Sequence, residues 1–154
     1  MNIEKANSDD HEILTEITKK SKAFWGYSEE QMTQWNDALT ITKDYIQTNF
    51  AYKLIQENQV IGYYSYFNSE AAIIKLDNLF ILPEYIGKGF GNQLMQDFLN
   101  RIKENCDIKK IVLDADPNAE KFYQKFGFKT IGQLETSIKN RFLPIMELNL
   151  LSHF

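Results

Sequence analysis

The chain has one cysteine and two histidines in 154 residues, no excess of basic side chains, and no apolar run approaching the ~20 residues of a membrane span. The lone Cys106 excludes an internal disulfide, fits a reducing compartment, and is read as a half-buried residue near a helix end. His11 and His153 lie far apart in sequence, so no metal site is expected. Seventeen basic against twenty-one acidic residues leave a net charge of −4, which argues against a nucleic-acid partner held through its phosphates. The N-terminal MNIEKANSDD lacks the basic-then-apolar order of a signal peptide, so a cytoplasmic protein with no membrane partner is expected. Repeats, low-complexity tracts and linkers are missing too. With 44% hydrophobic and 25% charged residues, residues 1–154 are read as one globular domain.

What is present is a regular alternation of elements. Residues 2–6 read as a short strand, and Ser8 or Asp9 is expected to cap a helix carrying Ile13, Leu14 and Ile17 inward. KAFWGY, residues 22–27, reads as an aromatic loop before a second helix at Ser28, where Ser28 and Gln31 form a capping box. A short third helix is expected over 42–48. Strands follow at 51–56 and 60–67, joined by ENQ as a hairpin, and then at 71–82, where the alternation breaks near Asp77 and Asn78 as at a β-bulge. A helix over 89–105, a buried strand over 108–115, a helix over 117–126 and two last strands within 128–134 and 142–150 complete the pattern. Hairpins mixed with one strand–helix–strand crossover make a mixed α/β sheet rather than a doubly wound parallel one.

The stretch ILPEYIGKGFGNQL, residues 81–94, raises the functional question, because three glycines fall where a strand gives way to a helix. A helix N-terminus leaves backbone N–H groups unpaired, and glycines let an anion approach them. Lys88 adds a cation. The spacing is neither a dinucleotide fingerprint, since Asn92 stands where the third glycine would fall, nor a P-loop. On this stretch alone an anion cradle and a tight turn explain the glycines equally well.

PNAEKFYQKFGF, residues 117–128, follows one helix and one strand later. Together with PEYIGKGFG it resembles the two motifs of the GNAT superfamily of acetyl-CoA-dependent N-acetyltransferases. Gly89 and Gly91 match the first motif, with Ile86 in place of its usual Gln or Arg. Asn118, Phe122, Tyr123, Gly127 and Phe128 match the second. The resemblance covers nearly the whole element order, and it implies a central, mostly antiparallel, splayed sheet flanked by helices. It implies further that the pyrophosphate of acetyl-CoA lies on Ile86, Gly87, Lys88, Gly89, Phe90 and Gly91. The pantetheine arm would run along Leu79, Phe80 and Ile81 like an added strand, with a backbone N–H there for the oxyanion. Asn118 would hold the cofactor, and Tyr123 would protonate the departing thiolate, unless its ring merely packs.

An alkyl amine of pKa ~10.4 is almost wholly protonated at pH 7, a handicap of about 4.6 kcal/mol, so a base is expected. Asp77 is the best-placed carboxylate, with Asp114 and Asp116 behind it; a solvated or salt-bridged Asp77 is the other reading. The acceptor site is expected in KAFWGY and in SIKNRFLPIM, residues 137–146. There Trp25 and Tyr27 would clamp a cation or apolar group, and Arg141 would pair with a carboxylate. In the other reading Phe24 and Trp25 anchor the core and Arg141 is a solvated strand charge. An N-acetyltransferase acting on a primary amine of a small molecule or peptide is the leading expectation, compatible with a homodimer. A non-catalytic acyl-CoA sensor or interaction module on the same fold is the alternative.

Overall fold

The computed structural model of the chain describes residues 2–136 and 141–150; His153 and residues 137–140 of the expected acceptor segment lie outside them. The fold is mixed α/β, with mostly antiparallel strands flanked by helices. It divides into two compact units, Met1–Tyr66 with Asn78–Arg101 and Phe67–Asp77 with Ile102–Phe154.

The first unit begins with β1 (Asn2–Lys5) and a 3₁₀ turn over Ser8–Asp10. Asn7 rather than Ser8 or Asp9 supplies the cap, because its side chain accepts from the Asp9 N–H while Asp10 closes the box onto the Asn7 N–H. Helix α1 (His11–Phe24) is longer than its pattern indicated and takes in the first half of the expected loop, ending where Gly26 adopts a left-handed φ of 85°. Helix α2 (Glu29–Gln34) starts on the Ser28 hydroxyl, which accepts from Gln31 N–H at 3.1 Å, and α3 (Lys43–Thr48) is capped by Thr42. Strands β2 (Phe50–Gln56) and β3 (Gln59–Glu70) form an antiparallel hairpin through Glu57 and Asn58, both left-handed as a type I′ turn requires. β1 pairs with the outer side of β2, and the strand order runs β1-β2-β3-β4, where β4 is Ile73–Ile81.

Alternation along β3 gives this unit two packed faces. Tyr63 is fully buried with Leu14 and Ile17 of α1, and its phenol meets Thr18 at 2.5 Å. The neighbouring Tyr64 and Tyr66 point the other way, onto Phe98 of α4 (Phe90–Lys103) at 5.3 Å each. There the Tyr64 hydroxyl donates to Asp97 at 2.6 Å and accepts from Arg101 Nε at 3.0 Å. A side chain at Gly62 would put its Cβ 2.8 Å from the Phe80 carbonyl oxygen and 2.6 Å from Ile81, so only glycine lets β3 and β4 close here.

The second unit holds the start of β4 with β5 (Lys110–Asp114), β6 (Lys129–Glu135) and β7 (Phe142–Asn149), in the order β4-β5-β7-β6. β4 runs parallel to β5 from Ile73↔Lys110 to Lys75↔Val112, and the other pairs are antiparallel. Burial along β4 falls on Leu76 and then on Ile81, a change of phase across the irregular stretch at Asp77 and Asn78. A 3₁₀ turn over Pro117–Ala119 leads into α5 (Glu120–Lys125), so the expected single helix from 117 starts as a tighter turn. Cys106 is exposed rather than half-buried, because α4 ends at Lys103 and the cysteine stands in the turn beyond it.

Burial pushes the phenol of Tyr66 up to about 12, and burial with the Asp97 hydrogen bond raises Tyr64 further. An unfolded tyrosine ionises near ~10, so the folded state keeps protons that the unfolded chain gives up. Stability from these groups is therefore constant below pH ~10 and falls as pH rises from there toward ~12. Urea denaturation at pH 8 and at pH 10.5 should show the loss, and Tyr66→Phe should reduce it; an equal loss in the variant would contradict the assignment.

Candidate active site

In the first unit β4 ends at Ile81 and the chain passes through a 3₁₀ turn, Pro83–Tyr85, into residues 86–89 and then α4. Gly87 and Gly89 carry φ of 83° and 87°, and a Cβ on either would meet nothing within 4 Å. Backbone geometry alone therefore requires glycine at both, and both also open onto unfilled space. Gly91 differs, lying inside the first turn of α4 without a left-handed φ. That first turn contains no acidic residue, the exposed Lys88 ammonium lies 5.8 Å from the Tyr85 ring, and Phe90 meets Tyr85 edge-on. Ile86 is extended and exposed. These exposed amides at a helix start, with a cation and no carboxylate among them, suit a phosphate group.

The three residues expected to line an added strand do not behave alike. The Phe80 carbonyl faces β3, as its approach to Gly62 and the hydrogen bond from Leu82 N–H to Ile61 O show. Leu79 and Ile81, alternating with it, face the opposite side. The Ile81 carbonyl is taken by the buried Ser21 hydroxyl of α1 at 2.7 Å. Asn78 donates to Ser65 at 2.9 Å and to the Tyr45 hydroxyl at 3.3 Å, which joins α3 to the strand. Ser21 was missed in the sequence, although a hydroxyl in the buried stripe Leu14, Ile17, Thr18, Ser21 is a readable signal.

At the end of α1, Phe24 and Trp25 form an edge-on pair at 5.2 Å and stand 50% and 45% exposed, so they are not core anchors. Tyr27 instead packs edge-on against Trp35 at 4.9 Å, and the Lys22 ammonium lies 5.7 and 5.5 Å from those two rings. Of the expected clamp, Tyr27 is thus paired with Trp35 and covered by Lys22, while Trp25 stands apart against Phe24. A cleft of ≈ 250 Å³ between Lys5–Ser8 and Ile46–Phe50 holds none of the expected catalytic, cofactor-binding or acceptor-binding residues.

The second unit gathers Asp116, Asn118, Tyr123 and Arg141. Tyr123 is 8% exposed, packs edge-on with Phe122 and Phe128, and is pushed well above the ordinary phenol range by burial first and the Asp116 charge second. It stays protonated at neutral pH, as an acid must. Asp116 accepts from Asn118 and from Arg141, so Arg141 is a paired, half-buried residue rather than a solvated strand charge. Asp114, the other runner-up base, is bonded to Lys75 at 2.8 Å across the β4–β5 pair. Asp77 is exposed on β4. No cluster of metal-binding side chains is found among the described residues.

Residues 23–150 match the acetyltransferase (GNAT) domain family, and the chain belongs to it. The spermine/spermidine N(1)-acetyltransferase of Bacillus subtilis is 35% identical over 63 residues, 39% of this chain and 41% of that protein. The [ribosomal protein bS18]-alanine N-acetyltransferase of Haemophilus influenzae is 32% identical over 94 residues, 60% of each chain. The matched region thus spans about two fifths to three fifths of the length of these relatives. Among solved structures, the PaiA N-acetyltransferase of Thermoplasma acidophilum in complex with coenzyme A superposes with a TM-score of 0.77 at 23% identity, covering 97% of this chain and 99% of that one.

Trp25→Ala should change stability by less than about 0.5 kcal/mol, since the ring is 45% exposed and pairs edge-on with the exposed Phe24. A loss of several kcal/mol in thermal denaturation would show instead that Trp25 is a core anchor.

Proposed function

We propose that this protein transfers the acetyl group of acetyl-CoA to a primary amine of a small molecule or peptide, with residues 1–154 acting as one acyltransferase domain in the cytoplasm. The observation that carries the reading is the turn from Ile86 to Gly91, whose two left-handed glycines, with nothing within 4 Å of a Cβ on either, lead into the start of α4. The pyrophosphate of the substrate would rest there, and Leu79 and Ile81 would face its pantetheine arm. The coenzyme A in the Thermoplasma structure and the amine acceptors named in the curated relatives support the same chemistry. Spermine and an alanine of a ribosomal protein mark the range of acceptors to test.

The amine nitrogen forms its bond to the acetyl carbon as the carbon–sulfur bond breaks. Tyr123 gives the departing sulfur a proton, and the amine's proton leaves through Asp77 or through water. A phenol above ~10 donating to a thiolate near ~8.5 works uphill by about 2 kcal/mol or more, so its benefit falls at the lower end for a general acid. Tyr123→Phe should lower turnover by about 10² while acetyl-CoA affinity and melting temperature change little. Full activity in the phenylalanine variant would remove the acid role.

Acetyl-CoA at millimolar concentration should raise the melting temperature, because a ligand bound only to the folded state stabilises it by mass action. Valine at Gly89 would strain a left-handed backbone, so Gly91→Glu is the cleaner probe. A glutamate in the first turn suits the helix dipole, yet it repels the pyrophosphate. The shift should then largely vanish, and an unchanged shift would show that the phosphates bind elsewhere.

A further inference from the structure

Asp116 stands where β5 ends, and both of its carboxylate oxygens are in use. Oδ1 accepts from the Asn118 backbone N–H and from Asn118 Nδ2, each at 2.9 Å, while Oδ2 accepts from Arg141 Nη2 at 3.4 Å. The Arg141 and Asp116 side chains are only 16% and 12% exposed, whereas Asn118 itself is exposed. Arg141 is in turn held by its backbone, its carbonyl accepting from Thr136 N–H at 3.3 Å and from the Thr136 hydroxyl at 2.8 Å.

The chemistry of this chain of contacts fixes more than the salt bridge. A carboxylate can only accept, so the end of the Asn118 amide that meets Asp116 must be its NH₂. Its carbonyl is then directed away, an exposed acceptor whose orientation depends on where the Asp116 carboxylate stands. A largely buried carboxylate without its cation would turn or draw in water, and the amide would lose its fixed partner. The rigid guanidinium, from the residue just before β7, prevents that.

We propose that Arg141 is a positioning residue for coenzyme A: by holding the Asp116 carboxylate, it fixes the Asn118 side chain with its carbonyl presented to an N–H of the ligand. This rests on the acyltransferase reading. It replaces the expected contact of Arg141 with a substrate carboxylate, because the guanidinium already has a carboxylate of its own.

The test is a thermodynamic cycle in coenzyme A affinity, measured by calorimetry on wild type, Arg141→Met, Asn118→Ala and the double variant. Arg141→Met should weaken binding about 5- to 10-fold, and Asn118→Ala by a similar factor. The double variant should bind no more weakly than Asn118→Ala alone, within about twofold. In turnover assays Arg141→Met should raise the KM for acetyl-CoA by the same factor and leave kcat within about twofold. Arg141→Lys should recover part of the affinity, and it carries the same cycle if the methionine variant does not fold. Unchanged affinity in the Arg141 variants, or losses at 141 and 118 that simply multiply, would overturn the proposal. A wild-type protein without affinity for coenzyme A would overturn the acyltransferase reading itself, and the two failures are told apart by the first titration.

Discussion

The reversal from β4 into α4 rests on two left-handed residues, Gly87 and Gly89, and the rest of the first unit is organised around what they deliver. L-residues pay about 1–2 kcal/mol each for this backbone, so the sequence has little freedom there. Once the turn is made, α4 lies with Leu94, Met95 and Phe98 buried, and Phe98 fills the face of β3 that carries Tyr64 and Tyr66. Gly62 then permits the close approach of β3 and β4 that keeps the end of β4 in place before the turn. The amides at the start of α4 are thus presented by a backbone that has few alternatives.

In the second unit the corresponding fixed point is a carboxylate rather than a glycine. Asp116 caps the turn at Pro117–Ala119, holds the Asn118 amide, and meets a cation from the residue just before β7. Its negative charge also adds to the burial that keeps the Tyr123 phenol protonated. One side chain therefore sets the local backbone and a polar side chain, and adds to the upward shift that burial gives the Tyr123 phenol. A residue with that many commitments is poorly suited to shuttle a proton.

Several readings changed once tertiary neighbours were known. Lys22 and Tyr27 looked like parts of an open acceptor loop, yet Lys22 lies over Tyr27 and Trp35. Phe24 is helical, since a helix ends where its C-terminal glycine allows and Gly26 is that residue. Ile81 looked open to a ligand along its whole backbone, but Ser21 from a helix 60 residues earlier takes its carbonyl. None of these pairings has a fixed spacing in sequence, so no local pattern could announce them.

Local chemistry was enough for other things. The order of strands and helices, the existence of a hairpin between β2 and β3, and the glycine turn all depend on backbone preferences of a few adjacent residues, and these are written in the sequence itself. So are the family motifs around Gly89, Gly91, Asn118 and Tyr123, because each is a short run whose spacing survives without knowledge of the fold. Which carboxylates are already paired, which aromatic rings are open, and which way each carbonyl of β4 points were decided only by tertiary structure. The physical reason is that a charge or a hydrogen-bonding group takes its partner by distance in space, and the partners of Asp116, Asp114 and Ile81 come from elements 25, 39 and 60 residues away in the chain.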